Sequence, residues 1–387
     1  MKKILIVHTK YTQKGGEDIA VEKEIDYLKS YYKVETLIFE NTFKLKIKEI
    51  KAFFYNKNVE SLDKFKEKVI DFEPDYVYIH NLWFMASLGI LEYSLNEELN
   101  VIHKLHNFRY DCTKSFISRK HLKGEKICKA CGLNKSDVGK FNRYYKESFI
   151  KSVLVNNFGR KYFKLLKNNK LKIITLTEHH KNYLNNLGIE LDNIFVQPNP
   201  TLSINKTYNQ TSKRLNQIVY AGRISQEKGV EELIEAWKLL DEHNSKLIII
   251  GEGPLLNDIQ KKCEKINSVE ILGYRDNREV LKIINESKAV ITTTKLYEGQ
   301  PTLLCEASEL SVPSIFPDSG GIKDFFPNNY EYKFEQFNYQ DLLSKLNKVV
   351  CSDYLIEQGK ENQQFIYRYL DADRLIQSFD KVLEAKS

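Results

Sequence analysis

Short, mainly apolar runs, each followed by a helical pattern, constrain this chain more than any other feature. In the first half they are Ile4–His8, Val34–Phe39, Tyr76–His80, Val101–Leu105 and Ile173–Leu176. Because they do not alternate apolar with polar, both faces of each strand must be covered. Helical patterns lie between them. Ile19–Ser30 carries Val21, Ile25 and Leu28 on one face, a second covers Ser87–Leu95, and a third starts at Glu178 and ends near Leu187. Alternation of strand and helix predicts a parallel sheet with right-handed crossovers. The pattern stops at Gln197–Asn216, where Pro198, Asn199 and Pro200 precede a polar stretch that reads as a linker. It then restarts with the strands Gln217–Tyr220, Leu247–Ile250, Val269–Leu272, Ala289–Thr293 and Ser314–Phe316. Among them lie helices at Val230–Leu240 and Leu255–Ile266. A chain of 387 residues is long enough for two such domains. The expectation is an α/β architecture of two Rossmann-like parallel-sheet domains facing a central cleft. The first spans 1–200 with an insertion at about 108–165. The second spans 201–366, and a helix over Tyr367–Lys386, in the segment 367–387, packs back toward the first.

Composition narrows the class of partner. Hydrophobic residues at 42% and charged residues at 29% give the balance of a soluble globular chain. No apolar run approaches the ~20 residues that span a bilayer. After Met1-Lys2-Lys3 the apolar stretch is only Ile4–Val7, too short for a secretory leader, so a cytoplasmic protein is expected. Charge is uneven: residues 101–200 hold 20 Lys+Arg against 7 Asp+Glu. Within 101–172 the cations mix with Phe108, Tyr110, Phe116, Phe141, Tyr144, Tyr145, Phe149, Phe158, Tyr162 and Phe163. That mixture suits an anionic membrane surface or a lipid-diphosphate acceptor.

In open parallel sheets, ligands sit beyond the carboxyl ends of the strands, so the residues just after each strand carry the most information. After Ala289–Thr293 comes Tyr297-Glu298-Gly299-Gln300-Pro301-Thr302-Leu303-Leu304-Cys305-Glu306. Gly299 lets a backbone approach closely, and Pro301 suits the first turn of a helix. The N–H groups of Thr302, Leu303 and Leu304 would then face an anion such as a diphosphate. Glu298 and Glu306 supply two carboxylates for sugar and ribose hydroxyls. After Gln217–Tyr220 comes Gly222-Arg223-Ile224-Ser225-Gln226-Glu227-Lys228-Gly229. Arg223 and Lys228, a planar fork and a point charge, suit the same diphosphate and would neutralise charge on a departing nucleotide.

These segments resemble the retaining GT-B glycosyltransferases of family 4. The pair Glu298 and Glu306 matches that family's E-x7-E motif, and Arg223 and Lys228 match its Arg and Lys. Gly251-Glu252-Gly253-Pro254, Leu272-Gly273-Tyr274-Arg275 and Ser319-Gly320-Gly321 match its turn, base-contacting loop and late glycine pair, with Asp324 where a Glu is more usual. In the first half, Lys14-Gly15-Gly16-Glu17 resembles the family's glycine loop. There Gly16 would present its N–H to the phosphates, and a larger side chain would intrude. His106 stands where the family carries an active-site histidine, with Asn107 where many members have Asp. His80 and Asn81, in His80-Asn81-Leu82-Trp83, match a subgroup pattern.

The resemblance implies transfer of a sugar, with retention, from a nucleoside-diphosphate sugar, commonly a UDP-sugar. The acceptor would be a glycan or lipid-linked, in bacterial surface polysaccharide assembly. It implies Glu298, His106, Arg223 and Lys228 as catalytic residues. The donor set is Gly16, Gly222, Gly251, Tyr274, Arg275, Gly299, Pro301, Thr302, Leu303, Leu304 and Glu306. Acceptor contacts fall to Glu17, His80, Asn81 and Arg109. No cofactor is required. A zinc site is a weak alternative: Cys112, Cys128 and Cys131 have ligand-like spacing, but Tyr144 stands where relatives carry a fourth Cys, leaving His121 as the one further ligand. Cys263, Cys305 and Cys351 read as core or inert thiols. Two rivals remain, a UDP-sugar 2-epimerase of the same fold and a nucleic-acid-binding protein using the basic half. The latter explains neither the two-glutamate segment nor Arg223 and Lys228, and no nucleic acid is expected.

Overall fold

The apolar runs form two separate parallel sheets of six strands each. The structure, a computed structural model, describes residues 1–12, 15–41, 54–112, 148–200, 214–240, 244–352 and 355–385, with positions 52 and 145. The chain divides into two units. Unit 1 comprises Met1–Pro200 and Ala372–Ser387, and unit 2 comprises Thr201–Asp371.

In unit 1 the strands are β1 (Lys3–Lys10), β2 (Lys33–Glu40), β3 (Tyr76–Ile79), β4 (Val101–Leu105), β5 (Lys172–Thr175) and β6 (Ile194–Val196). Their order is β2-β1-β3-β4-β5-β6, so the order reverses between β1 and β3. β6 has only three residues, too few to show a periodicity. The helix Val59–Phe72 opens on Asn58, whose side chain accepts from the Ser61 N–H. It closes at Glu73 in a left-handed conformation (φ 47°) just before Pro74. The helix Phe149–Leu166 connects β4 to β5. This part of the expected insertion is therefore a regular crossover helix. Within it, Phe158 is buried, as are Phe108 and Tyr110 before it. Those three aromatics are core rather than membrane-facing. Phe149, Ile150 and Val153 at the helix start are exposed.

In unit 2 the strands are β7 (Leu215–Ala221), β8 (Lys246–Ile250), β9 (Val269–Gly273), β10 (Ser287–Ile291), β11 (Ser314–Asp318) and β12 (Lys333–Glu335). The order is β12-β11-β10-β7-β8-β9. β7 begins inside the stretch read as linker. The order reverses between β7 and β10, and this switch point is where a doubly wound sheet opens a crevice at its carboxyl edge. The helix Val230–Lys238 buries Val230, Leu233, Ile234 and Trp237 against the sheet.

The expected single helix over 367–386 is two. One runs Leu355–Tyr369 and the other Ala372–Glu384. Their apolar anchors belong to different cores. Ile366 and Leu370 pack in unit 2. Ile376, Phe379, Val382 and Leu383 pack with Ile4, Ile6 and Tyr78 of unit 1. Within unit 1, the Tyr32 hydroxyl donates to Asp380 (3.0 Å) and the Gln197 amide to the Leu375 carbonyl (2.9 Å).

Candidate active site

In unit 2 the loops after β7 and β10 are joined by hydrogen bonds. The Lys295 N–H donates to the Glu227 carbonyl (2.9 Å), and the Thr293 hydroxyl to the carbonyls of Lys228 (3.1 Å) and Gly229 (2.8 Å). Gly229 has φ +70°, and a Cβ there would stand 2.2 Å from the Thr293 carbonyl oxygen, so only glycine allows this approach. The consequence is electrostatic. The Lys228 ammonium donates to Glu298 Oε1 at 2.5 Å, and the Thr294 hydroxyl donates to the same oxygen at 2.9 Å. Burial pushes the Glu298 carboxyl up, but Lys228 and Thr294 outweigh it and hold the group below the usual carboxylate range. Glu298 Oε2 has no hydrogen-bond partner among the described residues. Two donors of the ammonium are likewise uncommitted, since a lysine carries three.

Gly320 sets the other side of this loop. It has φ +62°, and a Cβ there would stand 2.8 Å from the Glu298 nitrogen. The Gly321 N–H donates to the Glu298 carbonyl at 2.9 Å. The late glycine pair is thus a backbone rest for the Glu298 loop. Gly222 and Gly251 meet similarly at the ends of β7 and β8: the Gly222 N–H donates to Ile250, and the Gly251 N–H to Gly273. Arg223 is exposed beside Gly222. Tyr274, 67% exposed, and Arg275 extend past β9, the Arg275 guanidinium donating to the Tyr274 carbonyl (2.7 Å).

The helix after Pro301 runs Thr302–Glu309, with Pro301 as its cap rather than in its first turn. The Thr302 N–H donates to the Gln300 carbonyl (3.0 Å), so this group is not available to an anion. Leu303 and Leu304 remain as first-turn donors, and Gly299 precedes them. Glu306 is buried at 5% exposure.

Unit 1 carries the remaining expected residues at the carboxyl edges of β1, β3 and β4. The helix Gly16–Lys29 starts at the glycine loop, where the Gly15 N–H donates to Asp18 Oδ2 (3.0 Å). A Cβ at Gly16 would meet nothing within 4 Å, so the packing of the chain itself does not demand glycine. Buried Asp18 also pairs with His8 Nε2 at 2.9 Å. His80 Nδ1 lies 3.0 Å from His106 Nε2, with the rings stacked at 5.3 Å. Burial lowers the pKa of both, and neighbouring cations add to the effect, so both are neutral at physiological pH. Asn81 is hydrogen-bonded within the unit: its amide donates to the Thr9 carbonyl (2.8 Å) and accepts from the Trp83 N–H (2.9 Å). It therefore ties β3 to β1 while lining the same pocket as Glu17, His80 and Arg109. Glu17 Oε2 accepts from the Tyr11 hydroxyl (2.9 Å) and from the Asn107 amide (3.3 Å). The Arg109 guanidinium lies over the Trp83 ring at 4.7 Å. Lys14, at the start of the glycine loop, lies outside the described residues.

Residues 204–369, which hold Arg223, Lys228, Glu298 and Glu306, match the family model for glycosyl transferases group 1. The matched segment lies within the second unit. The amylovoran biosynthesis glycosyltransferase AmsD of Erwinia amylovora is 26% identical over 191 residues, 48% of this chain and 54% of that protein. The match thus spans about half the length of that relative. Among solved structures, the lipopolysaccharide outer core galactosyltransferase WaaB in its apo form has a TM-score of 0.66 at 16% identity, covering 98% of this chain and 99% of that one. The structure of Anabaena Alr3699/HepE in complex with UDP-glucose has a TM-score of 0.65 at 14% identity, covering 100% of both. These likenesses and the two six-stranded parallel sheets give the GT-B fold.

Several site residues escaped sequence reading. Thr294 carries a signal only in hindsight, four positions before Glu298 and just beyond a strand. Tyr11 follows β1 in the same way. Lys104 stands inside the run Val101–Leu105, but its buried pairing could not be read there: it donates to both oxygens of Glu24 (2.9 Å each), and Tyr78 donates to Oε1 (2.8 Å). Of the cysteine cluster, Cys112 is buried, while Cys128 and Cys131 lie outside the described residues. Cys351 is exposed, unlike buried Cys263 and Cys305. Among the described residues no group of His, Cys, Asp and Glu is arranged to hold a metal ion.

Proposed function

We propose that this chain is a retaining glycosyltransferase that moves a sugar from a nucleoside-diphosphate sugar, a UDP-sugar above all. The acceptor is a glycan or lipid-linked glycan in bacterial surface polysaccharide assembly. The observation that carries the reading is the Lys228–Glu298 pair at the switch point of unit 2. One ammonium proton stays on Glu298 while the other two serve the diphosphate, joined by Arg223 and the N–H groups of Leu303 and Leu304. Glu298 Oε2 accepts from a hydroxyl of the donor sugar, and buried Glu306 anchors the ribose. Tyr274 and Arg275 flank the base. As the bond to the leaving diphosphate breaks, these fixed cations and dipoles stabilise the growing charge without reorganising. A diphosphate that leaves and accepts the acceptor proton on one face of the sugar gives retention without an enzymic nucleophile. His106, held neutral, offers a hydrogen bond rather than a charge. The names of AmsD and WaaB, and the UDP-glucose in the HepE complex, support the substrate class.

Calorimetric titration with UDP and UDP-glucose tests this. Binding that weakens at least ~10-fold in Arg223→Ala is expected, since a charge-assisted contact is lost. Equal UDP affinity in the wild type and Arg223→Ala would refute the donor site. Conversion of the donor to its 2-epimer without acceptor would replace the reaction.

Contact with an anionic membrane surface belongs to the same reading. Phe149, Ile150 and Val153 are exposed beside Lys151, and no helix among the described residues is long and apolar enough to cross a membrane. Co-sedimentation with anionic liposomes at low salt, lost at high salt, is expected, and its absence at low salt would contradict it.

A further inference from the structure

Glu17 and Arg109 sit in one pocket of unit 1, with Trp83, His80, His106 and Asn107 also lining it. The arrangement has two incomplete halves. Arg109 Nη1 is buried and has no hydrogen-bond partner among the described residues. Its guanidinium is held flat by Trp83 at 4.7 Å and by Tyr11 at 5.6 Å, so it cannot swing out to water without losing both rings. Among the described residues, Glu17 has both of its protein donors on Oε2, from Tyr11 and Asn107, and none on Oε1. The two charges influence each other, yet no direct ion pair closes between them among the described residues. A charged donor and a carboxylate that share a pocket without satisfying each other leave a gap for a group that both donates and accepts.

An anion would complete Arg109 but would face the Glu17 carboxylate. A cation would do the reverse. A hydroxyl answers both, donating its proton to Glu17 Oε1 and accepting from Arg109 Nη1. Asn107 fits this scheme. Its carbonyl oxygen accepts the Arg109 backbone N–H at 3.1 Å while its amide donates to Glu17 at 3.3 Å. An aspartate in its place would lack that donor and would repel Glu17. We infer that Glu17 and Arg109 form a subsite for an uncharged sugar, read through a hydroxyl that bridges the two side chains. The assignment rests on the glycosyltransferase reading above and names the chemistry of its acceptor as a neutral sugar at this position rather than a phosphate or an acidic sugar.

Saturation-transfer NMR on the full chain tests the subsite, with methyl α-D-glucopyranoside, methyl β-D-galactopyranoside, methyl glucuronide and inorganic phosphate as probes. At least one neutral glycoside is expected to bind, and its affinity to fall ~10-fold or more in both Arg109→Gln and Glu17→Gln. Glu17→Gln keeps the shape of the side chain, Arg109→Gln shortens it to a neutral amide, and the melting profile of each reports whether it has folded. UDP titrations run in parallel, because that site lies in the other unit. UDP binding without binding of any neutral glycoside overturns the subsite and leaves the donor reading intact. Loss of UDP binding in the wild type overturns the donor reading instead. Binding of glucuronide or phosphate in preference to the neutral probes, or neutral binding unchanged in both folded variants, also overturns the subsite.

Discussion

Replacing Lys228 with methionine removes the ammonium from Glu298 and keeps the aliphatic stem. The contact is a charge-assisted hydrogen bond of 2.5 Å between side chains 30% and 29% exposed. Such bonds contribute about 1.5–3 kcal/mol when well desolvated. Partial exposure brings this pair below that range, to about 1 kcal/mol. The pH dependence is more diagnostic than the size. Glu298 is pushed up by burial and pulled further down by Lys228 and Thr294. A carboxyl depressed in the folded state contributes stability above its unfolded pKa, and that contribution is lost as pH falls through the folded value. In Lys228→Met the downward pull of the ammonium is gone while burial remains, so the variant no longer loses this contribution on acidification. The gap between wild type and variant is therefore widest near neutrality and closes below about pH 4. The chain has two tryptophans, and Trp237 is buried in the core of unit 2. Denaturant unfolding followed by Trp237 fluorescence in a Trp83→Phe background reads that unit alone. A stability difference that stays constant from neutral pH to below pH 4 would refute the coupling.

Two further predictions concern unit 1. Lys104→Met strips the buried Glu24 carboxylate of its ammonium and is expected to cost about 3–5 kcal/mol, most of it regained in Lys104→Met/Glu24→Leu. Denaturant midpoints of the two variants check this, and equal midpoints would show that Glu24 finds another partner. The second is acid sensitivity. His8, His80, His103, His106 and His180 all have lowered pKa values, burial being the largest cause, with His103 at about 4 and His180 at about 3. The unfolded chain takes up these protons near pH 6.5 and the folded chain does not, so stability falls as pH drops below that value. The slope is up to ~1.4 kcal/mol per pH unit for each histidine. Trp83 fluorescence, in a Trp237→Phe background, should show unit 1 losing stability between pH 7 and 5 while unit 2 holds. Parallel losses in both units would refute it.

The fold was legible because burial on both faces of a strand leaves no polar alternation. Of the twelve strands among the described residues, ten were visible as runs, and the two unseen ones, Ile194–Val196 and Lys333–Glu335, are three-residue edge strands. Helices with a weaker stripe or flanked by lysines, such as Phe149–Leu166, were hidden in composition. In the candidate site, the residues after each strand were readable as types. Their engagement was not. That Asn81 also ties β3 to β1 and to Trp83 is seen only in the structure, and Thr302 looks like an anion donor until its N–H is found on the Gln300 carbonyl.

By itself the sequence determined that there are two parallel-sheet units and that Gly222–Gly229 and Glu298–Glu306 each follow a strand. Only the tertiary structure decided that β7 and β10 are neighbours, which sets Lys228 against Glu298 across 70 residues of chain. It alone made Gly229 and Gly320 backbone contacts, paired His80 with His106, and divided the last helices between two cores. The physical reason is that the core strands are alike in being mostly apolar. Burial fixes that a run enters a sheet, whereas the order of strands follows from how crossovers pack, and in unit 2 Lys228 and Glu298 meet where that order reverses.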